Sequence, residues 1–460
     1  MLTGNTLVAQ GVTITVQPGT TVNLGAYYIQ VNGTLSVKGT SSNPVHVNGG
    51  SIEFNEVCNG WNEQTGSGCL IENAVLTSTR LTADNNVKIN RNTISGDVTA
   101  TSTTIISDNT INGKVSGGAL SGNAIKGDVS GSEITNNTIT GQVLGSRVSN
   151  NIINGVVIAS GNCIISNNII TGDVSSSGIS VGSTYVIPGG NPTIKNNRIT
   201  NCNVGIRVDV LIRSWFSANI PLIQNNIITN NDVGIEYSIS IQESWSVEST
   251  IIQYNAITQN GIGIKLTGSI EHYEILNNNI QDNTNYNLYL TGARNVSATN
   301  NWWGTANTQQ INQTVYDFKN DFNLGTVSFA PFLTAPNSVA PLSPIPAASP
   351  LPTISPVVTP TPFITSQPTD TAYPTKTPDP TQTTTVTPTP TATPNQSASP
   401  IISPSLNSTT SPSQNPTTST EQTNAQGIPM AEFYTIIAAL VVVIAALAVG
   451  IVVVALRKKR

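Results

Sequence analysis

Asn136-Asn137-Thr138-Ile139 is one copy of a phrase that recurs between residues 89 and 301 of this 460-residue chain. Its shared part, an Asn two positions before an Ile, starts at Asn92, Asn109, Asn123, Asn137, Asn151, Asn168, Asn197, Asn226, Asn255 and Asn278. These asparagines lie 17, 14, 14, 14, 17, 29, 29, 29 and 23 residues apart. A fixed phrase at variable spacing is typical of a solenoid whose loops alone change length.

The residue types in the phrase predict an all-β solenoid, a parallel β-helix. Asn tolerates a left-handed turn and bonds its own chain locally, so it marks a corner of each coil. Stacking at the strand spacing of about 4.8 Å lets the amides pair along the stack and points each Ile inward. A helical solenoid would show apolar residues at i, i+3 and i+4, whereas these runs are short, β-branched and interrupted by Gly and Asn.

Composition limits the classes of function. Only 9% of the residues are charged, against about a quarter in an average soluble domain, and the net charge of −5 provides no basic face for nucleic acid. Cys58 and Cys69 bracket a Gly-rich stretch and are predicted to form a disulfide that clips a loop; a zinc site there would need further ligands, and the chain has only two histidines. Cys163 and Cys202 are expected to be small buried hydrophobes. We predict neither a metal nor a cofactor.

The chain divides into segments of different character. Residues 1–56 alternate apolar and polar positions and are predicted to be the first coils and N-terminal cap; residues 57–88 add the clipped loop and further coils, and residues 89–330 are the repeats. The stretch after Met1 lacks the basic and apolar regions of a signal peptide, which a truncated or misassigned start would reconcile with the export inferred below.

Two columns follow the Ile positions in the short coils. The first contains glycines that mark a second tight corner, namely Gly96, Gly113, Gly127, Gly141, Gly155 and Gly172. The second is mixed, namely Asp97, Lys114, Asp128, Gln142, Val156 and Asp173. A solvated outer edge is the favoured interpretation of the second column, over a cation site.

The longer coils, from 190 to 290, are predicted to carry the binding surface. Equal offsets from the repeat asparagines stack Arg207, Glu236 and Lys265, either as an exposed salt-bridge ladder or as part of a site. Aromatic residues line one flank at Trp215, Trp245 and Tyr273, beside Arg213, Glu243 and His272. Exposed rings in a row form a platform on which sugars stack, although packing of loops against the coil explains them equally well.

The repeat closes at Asn300-Asn301-Trp302-Trp303-Gly304, where Trp fills the Ile slot. With this ending, and with its opening Val12-Thr13-Ile14-Thr15-Val16, the chain resembles the right-handed parallel β-helix repeat proteins of prokaryotic cell surfaces. These share the pectin-lyase-like fold and the carbohydrate-binding and sugar-hydrolase repeat grouping. The resemblance covers about residues 5–330 and implies the right-handed fold, but a fold that hosts many activities does not transmit one.

Residues 331–430 are predicted to be a disordered stalk, because Pro recurs among Thr and Ser with almost no charge. Sequons that permit N-glycans occur at Asn32, Asn136, Asn295, Asn312, Asn395 and Asn407. Residues 431–456 contain an uncharged run from Ile436 to Leu456 that is long enough to span a bilayer as a single helix, and the basic residues 457–460 follow it. The positive-inside bias places that tail in the cytoplasm and the β-helix outside. An anchor of this kind after a Thr/Pro stalk resembles archaeal surface proteins.

These features favour a cell-surface protein that binds envelope or extracellular carbohydrate in an adhesion or structural role. The alternative is a polysaccharide lyase or glycoside hydrolase of the same fold. Hydrolysis needs a close pair of carboxylates, and elimination needs a basic residue beside calcium-binding carboxylates. Only Asp209, with Arg207, Arg213 and Glu236, approaches such a grouping, so no catalytic residue is assigned and the enzyme question stays open. Copper-site maturation, a third option, is disfavoured because the chain is poor in Met and His.

Overall fold

The computed structural model describes residues 1–182, 190–212, 221–241, 249–268 and 273–341, all of which belong to the unit Met1–Pro360. In these residues the chain winds into successive coils whose strands pair in parallel with the same strands of the next coil. The parallel β-helix expected from the repeat is therefore confirmed.

The predicted boundary of the stalk at residue 331 is wrong, because residues 331–341 pack against the last coils. The backbone N–H of Asn337 donates to Asn279 Oδ1, its Nδ2 donates to the carbonyl oxygen of Asn277, and Ala340 is buried. The rest of the predicted stalk, residues 342–430, and the predicted membrane helix lie outside the described residues.

Numbered in chain order, the strands form three columns, which we call sheets 1, 2 and 3. Sheet 1 carries the repeat phrase and contains β3 (Thr21–Val31), β5 (Val45–Phe54), β7 (Ala74–Thr77), β10 (Thr93–Ser95), β13 (Thr110–Asn112), β16 (Ala124–Lys126), β18 (Thr138–Thr140), β20 (Ile152–Asn154), β23 (Ile169–Thr171), β26 (Arg198–Thr200), β29 (Ile227–Thr229), β32 (Ala256–Thr258) and β35 (Asn279–Gln281).

Sheet 2 contains β1 (Thr6–Val8), the second halves of β3 and β5, β8 (Arg80–Ala83), β11 (Val98–Ala100), β14 (Val115–Ser116), β17 (Val129–Thr135), β19 (Val143–Ser149), β21 (Val157–Ala159), β24 (Ser177–Gly182), β27 (Val204–Ile212), β30 (Val233–Ile241), β33 (Ile262–Gly268), β36 (Tyr286–Leu290) and β38 (Val315–Tyr316).

Sheet 3 contains β2 (Thr13–Val16), β4 (Thr34–Lys38), β6 (Leu70–Glu72), β9 (Lys88–Asn90), β12 (Ile105–Ser107), β15 (Ala119–Ser121), the second halves of β17 and β19, β22 (Ile164–Ser166), β25 (Thr193–Lys195), β28 (Leu222–Gln224), β31 (Thr250–Gln253) and β34 (Tyr273–Leu276). After the last coil come β37 (Val296–Ser297), the helix α1 (Thr308–Gln313) and β39 (Val327–Ser328), which pairs with β37.

The core is a stack of apolar side chains along the axis of the solenoid. The isoleucines of the repeat phrase face one another across successive coils and are at most 3% exposed, namely Ile94, Ile111, Ile125, Ile139, Ile153, Ile170, Ile199, Ile228, Ile257 and Ile280. The inward assignment of this column is confirmed. Trp303 occupies the same slot at the end of the stack, where it is buried and contacts Phe329 edge-on.

The repeat asparagines form a continuous buried amide ladder. From Asn92 to Asn301, each side-chain Nδ2 donates to Oδ1 of the next Asn at 2.9–3.1 Å, and each backbone N–H donates to the same oxygen at 2.8–3.0 Å. The left-handed turn falls one residue earlier than expected, as at Asn136 and Asn150, with φ of 56° and 58°. In the pair Asn-Asn, the first residue therefore makes the left-handed turn and the second hydrogen-bonds to the next coil.

The predicted glycine column reflects close approach of neighbouring coils as well as a turn. A Cβ at Gly127 would lie 2.3 Å from the carbonyl oxygen of Gly113, and one at Gly141 would lie 2.4 Å from that of Gly127. Since no side chain tolerates such contacts, the short coils require glycine at these positions.

Candidate functional site

The three charged residues aligned by the sequence lie side by side on the outer face of sheet 2. The register pairs Arg207 of β27 with Glu236 of β30, and Glu236 with Lys265 of β33. The residues that flank these positions point inward and are fully buried, for example Ile206 and Val208. Strand alternation therefore holds the charged side chains on the solvent side.

Glu236 binds both cations. Its Oε2 lies 2.9 Å from Nη1 of Arg207, and its Oε1 lies 2.9 Å from Nζ of Lys265. Glu236 is only 13% exposed, whereas Arg207 and Lys265 keep 38% and 31% of their side-chain surface open. The predicted stacking of opposite charges is confirmed. Two cations share one carboxylate, so this charge ladder carries a net charge of about +1.

Beyond Lys265 the same column becomes aromatic. The next coil places Tyr289 against Lys265, and the strand after that places Tyr316 against Tyr289. The rings of Tyr289 and Tyr316 are stacked with centroids 4.3 Å apart. Tyr286, which pairs with Ile262, approaches the two rings at 5.5 and 5.2 Å. We call Tyr286, Tyr289 and Tyr316 the tyrosine cluster.

A shallow cleft of about 620 Å³ lies between the ladder and the tyrosine cluster, lined by Ile262, Lys265, Thr284, Asn285, Tyr286, Tyr289 and Thr291. Thr284, Asn285 and Thr291 are exposed, while the rings of Tyr286 and Tyr289 are half-buried. The cleft thus combines aromatic surface, hydroxyl and amide groups and one ammonium. Such a mixture suits a polar ligand with one apolar face.

Sequence reasoning missed the tyrosine cluster for a definable reason. Asn260 and Asn283 are equivalent in a second buried amide ladder, yet Ile262 pairs with Tyr286 rather than with Asn285. One extra residue after Asn283 therefore shifts the count, which hides the equivalence of Lys265 and Tyr289. Allowing a one-residue insertion in the comparison of coils would have found that pair. Tyr316 follows α1 and has no repeat phrase to mark it.

The predicted aromatic flank is described only at Tyr273. Tyr273 starts β34 in sheet 3, is half-buried, and packs edge-on against the buried Tyr237 with centroids 5.9 Å apart. Burial raises its pKa above the ordinary tyrosine range. Tyr273 is thus a packing residue on a different sheet from the charge ladder. The other five members, Trp215, Trp245, Arg213, Glu243 and His272, lie outside the described residues, and their role stays a prediction.

The predicted grouping around Asp209 is described only in part, because Arg213 lies outside the described residues. Asp209 pairs in register with Ser238, and both oxygens of Glu236 are engaged by the flanking cations. Within the described parts of the chain, no three His, Cys, Asp or Glu side chains come close enough to hold a metal ion.

In the outer column of the short coils, Asp97 accepts from the backbone N–H of Lys114, and Nζ of Lys114 lies 3.2 Å from Asp128.

The cysteines are all buried, free thiols in the structure. The neighbouring Cys69 thiol, together with burial, raises the pKa of Cys58, whereas the neighbouring Cys58 thiol lowers the pKa of Cys69. The disulfide between them stays a prediction. Cys163 and Cys202 are buried at 3% and 2% exposure, as expected for small apolar residues.

The described sequons differ in exposure. Asn136, Asn295 and Asn312 are exposed, whereas Asn32 is half-buried and its Oδ1 accepts from Asn55 Nδ2 at 2.7 Å. Asn395 and Asn407 lie outside the described residues. Glycan attachment at any of the six stays a prediction.

Residues 140–303 match the family described as right handed beta helix region. With the continuous parallel strand columns, this match shows that the chain is a right-handed parallel β-helix repeat protein. No curated protein matches the chain. Among the residues that the structure describes, no helix has the length and apolar character needed to cross a membrane. The predicted span at 436–456 is not among them.

Proposed function

We propose that this β-helix binds carbohydrate through the surface formed by the charge ladder and the tyrosine cluster. The observation that carries the proposal is the cleft between Lys265 and the tyrosine cluster, because it brings ring surface and polar groups together on a rigid sheet. Sugars present apolar C–H faces and a rim of hydroxyls, which match this combination.

The geometry supports a ligand that extends along the column. Arg207, Glu236, Lys265, Tyr289 and Tyr316 occupy consecutive coils. At the strand spacing of about 4.8 Å, five positions extend over about 19 Å. An oligosaccharide that follows the solenoid axis would contact successive coils, and each coil would contribute one side chain. A rigid in-register surface lowers the entropic cost of binding such a chain.

The test is a double substitution of the two cleft tyrosines, Tyr286→Ala with Tyr289→Ala, in the full chain. We expect binding to immobilised polysaccharides in affinity electrophoresis to fall at least about tenfold, since stacking contacts of this kind are worth about 1 kcal/mol each. The matched control is Phe318→Ala with Phe322→Ala, which removes an exposed aromatic pair, with centroids 5.3 Å apart, that does not line the cleft.

The two double variants distinguish a specific binding site from nonspecific binding by exposed aromatic residues. Equal losses in both would indicate nonspecific aromatic contacts, and unchanged binding in the cleft variant would refute the proposed function. Circular dichroism melts of both variants exclude unfolding as the cause of any loss.

The place of action belongs to the same proposal. Anchoring by residues 436–456, with the β-helix outside the cell and the stalk between them, is supported by the uncharged run and the basic tail. Protease treatment of intact cells should then release the β-helix by cleavage in residues 342–430. Complete protection of that segment would contradict the topology.

A further inference from the structure

The charged residues around the cleft bear on which class of sugar it would bind. This step rests on the proposed function and concerns the chemical class of the ligand. Glu236 is the only described carboxylate bridged to Arg207 or Lys265, and each of its oxygens is engaged by one cation. Arg207 also donates through Nε to Ser177 Oγ of the preceding coil at 3.3 Å, so its guanidinium is held between that coil and Glu236 of the next.

Lys265 is the cation that faces the cleft. Its ammonium has three donors, and the one hydrogen bond to a described residue goes to Glu236. Its exposed side lies one strand spacing, about 4.8 Å, from the coil that carries Tyr286 and Tyr289. A ligand whose ring rests on these tyrosines would therefore place a substituent within reach of the Lys265 ammonium. The carboxylate of Glu236 does not fully neutralise that charge, because it is shared with Arg207.

The far end of the tyrosine cluster carries charged residues of both signs. Partial desolvation, the neighbouring Tyr289 and the carboxylate of Asp321 raise the pKa of Tyr316. Asp317, by contrast, is buried, bonds Nζ of Lys319 at 2.8 Å and accepts from the backbone N–H of Val327. The unpaired positive charge next to the tyrosine cluster is therefore that of Lys265, since Asp317 and Lys319 neutralise each other.

We propose that the cleft selects a sugar bearing an anionic substituent, a carboxylate or a sulfate ester, which pairs with Lys265 while the sugar ring lies on Tyr286 and Tyr289. Lys265 acts as the residue that determines specificity, and the tyrosines supply affinity that does not depend on charge. The protein as a whole is acidic, with a net charge of −5, so this attraction is local to the cleft.

The experiment uses two matched pairs of probes with the full chain. One pair is a hexasaccharide of alternating N-acetylglucosamine and glucuronate and its carboxyl-reduced neutral form; the other is a sulfated galactan hexasaccharide and its desulfated form. We expect at least one anionic probe to bind about tenfold more tightly than its neutral partner at low salt. Raising the salt to about 1 M, where the screening length is about 3 Å, should remove most of that preference. The pair that shows the preference identifies carboxylate or sulfate as the anion.

Three variants test the assignment to Lys265. Lys265→Gln should abolish the preference for the anionic member of the pair over its neutral partner. Glu236→Gln should increase the preference, because it removes the only carboxylate of the ladder. Lys114→Gln is the matched control, since Lys114 also bridges a carboxylate of the next coil, Asp128, but lies far along the stack in the short coils. It should change nothing.

The outcomes separate the two proposals. If wild-type protein binds both members of each pair equally, the anionic specificity is wrong and the carbohydrate-binding proposal stands. If the preference survives in Lys265→Gln, or if Glu236→Gln weakens it, the anion is bound elsewhere and the inference is overturned. If no member of either pair binds, the proposed function fails and the inference fails with it.

Discussion

Replacing Asn151 by Ala tests the amide ladder, the feature on which the stack most depends. The side chain of Asn151 is fully buried and takes part in five hydrogen bonds. Its Oδ1 accepts from the backbone and the side chain of Asn137, and its Nδ2 donates to Ile134 O, Ser149 O and Asn168 Oδ1. At about 1 kcal/mol for each net hydrogen bond, we expect a loss of about 4 to 5 kcal/mol in the free energy of unfolding.

The control and the assay follow from the same strand. Asn154 of β20 is exposed on the outer face, so Asn154→Ala should change the free energy of unfolding by no more than about 0.5 kcal/mol. Urea titrations followed by far-ultraviolet circular dichroism compare the two variants with the wild type. If Asn151→Ala costs less than about 1 kcal/mol, or no more than the control, the buried ladder does not stabilise the stack and the reasoning is refuted.

Three further predictions address the apolar core, a charge placed in the amide ladder, and the aromatic flank. Ile139→Asp buries an unpaired carboxylate at a fully buried position and should cost several kcal/mol, whereas Thr140→Asp on the outer face should be mild; equal thermal melts would show that the column does not point inward. Asn151→Asp sets a buried carboxylate against the carbonyl oxygens of Ile134 and Ser149, which raises the pKa of that carboxyl in the folded protein above the unfolded value of about 3.9. The stability of this variant should therefore fall as the pH rises from about 4 toward 7. A melting temperature that does not change with pH would contradict this prediction. If the aromatic flank adds to binding at the cleft, Trp215→Ala with Trp245→Ala should weaken polysaccharide binding in affinity electrophoresis and leave the melting temperature within a few degrees, while collapse of the fold or unchanged binding would show that these rings pack rather than bind.

The parts of the fold that could be predicted are those fixed by periodicity. A buried Ile and a laddered Asn recur in every coil because parallel in-register stacking gives each column one environment, so a single phrase reports on the whole column. The same rule aligned Arg207, Glu236 and Lys265, because the coils from Asn197 onward keep a spacing of 29 residues until Asn255. The division of labour in Asn-Asn was not predicted, since either residue tolerates a left-handed turn and only the backbone shows which one makes it.

The tyrosine cluster shows where periodicity stops being informative. The coil that begins at Asn255 has 23 residues instead of 29, and the turn after Asn283 gains one residue. The inserted residue moves Tyr289 to offset 11 from its repeat asparagine, against offset 10 for Lys265, yet the hydrogen bonds between strands restore the register in space and set Tyr289 against Lys265. Tyr316 joins the column only after the chain has passed through α1, a non-local contact that no repeat encodes.

That irregularity is also what gives the column a direction. In the regular coils, the alternation of cation, anion and cation would repeat a self-neutralising surface, with each carboxylate shared by its two neighbours. The coil that departs from the spacing ends this alternation after a cation and puts rings where the next carboxylate would stand. Lys265 therefore lies between aromatic side chains on one side and, on the other, Glu236, whose carboxylate it shares with Arg207. If a charged residue stood in place of Tyr289, the column would be a charge ladder without the aromatic wall of the cleft, so the proposed binding site depends on the coil at which the repeat becomes irregular.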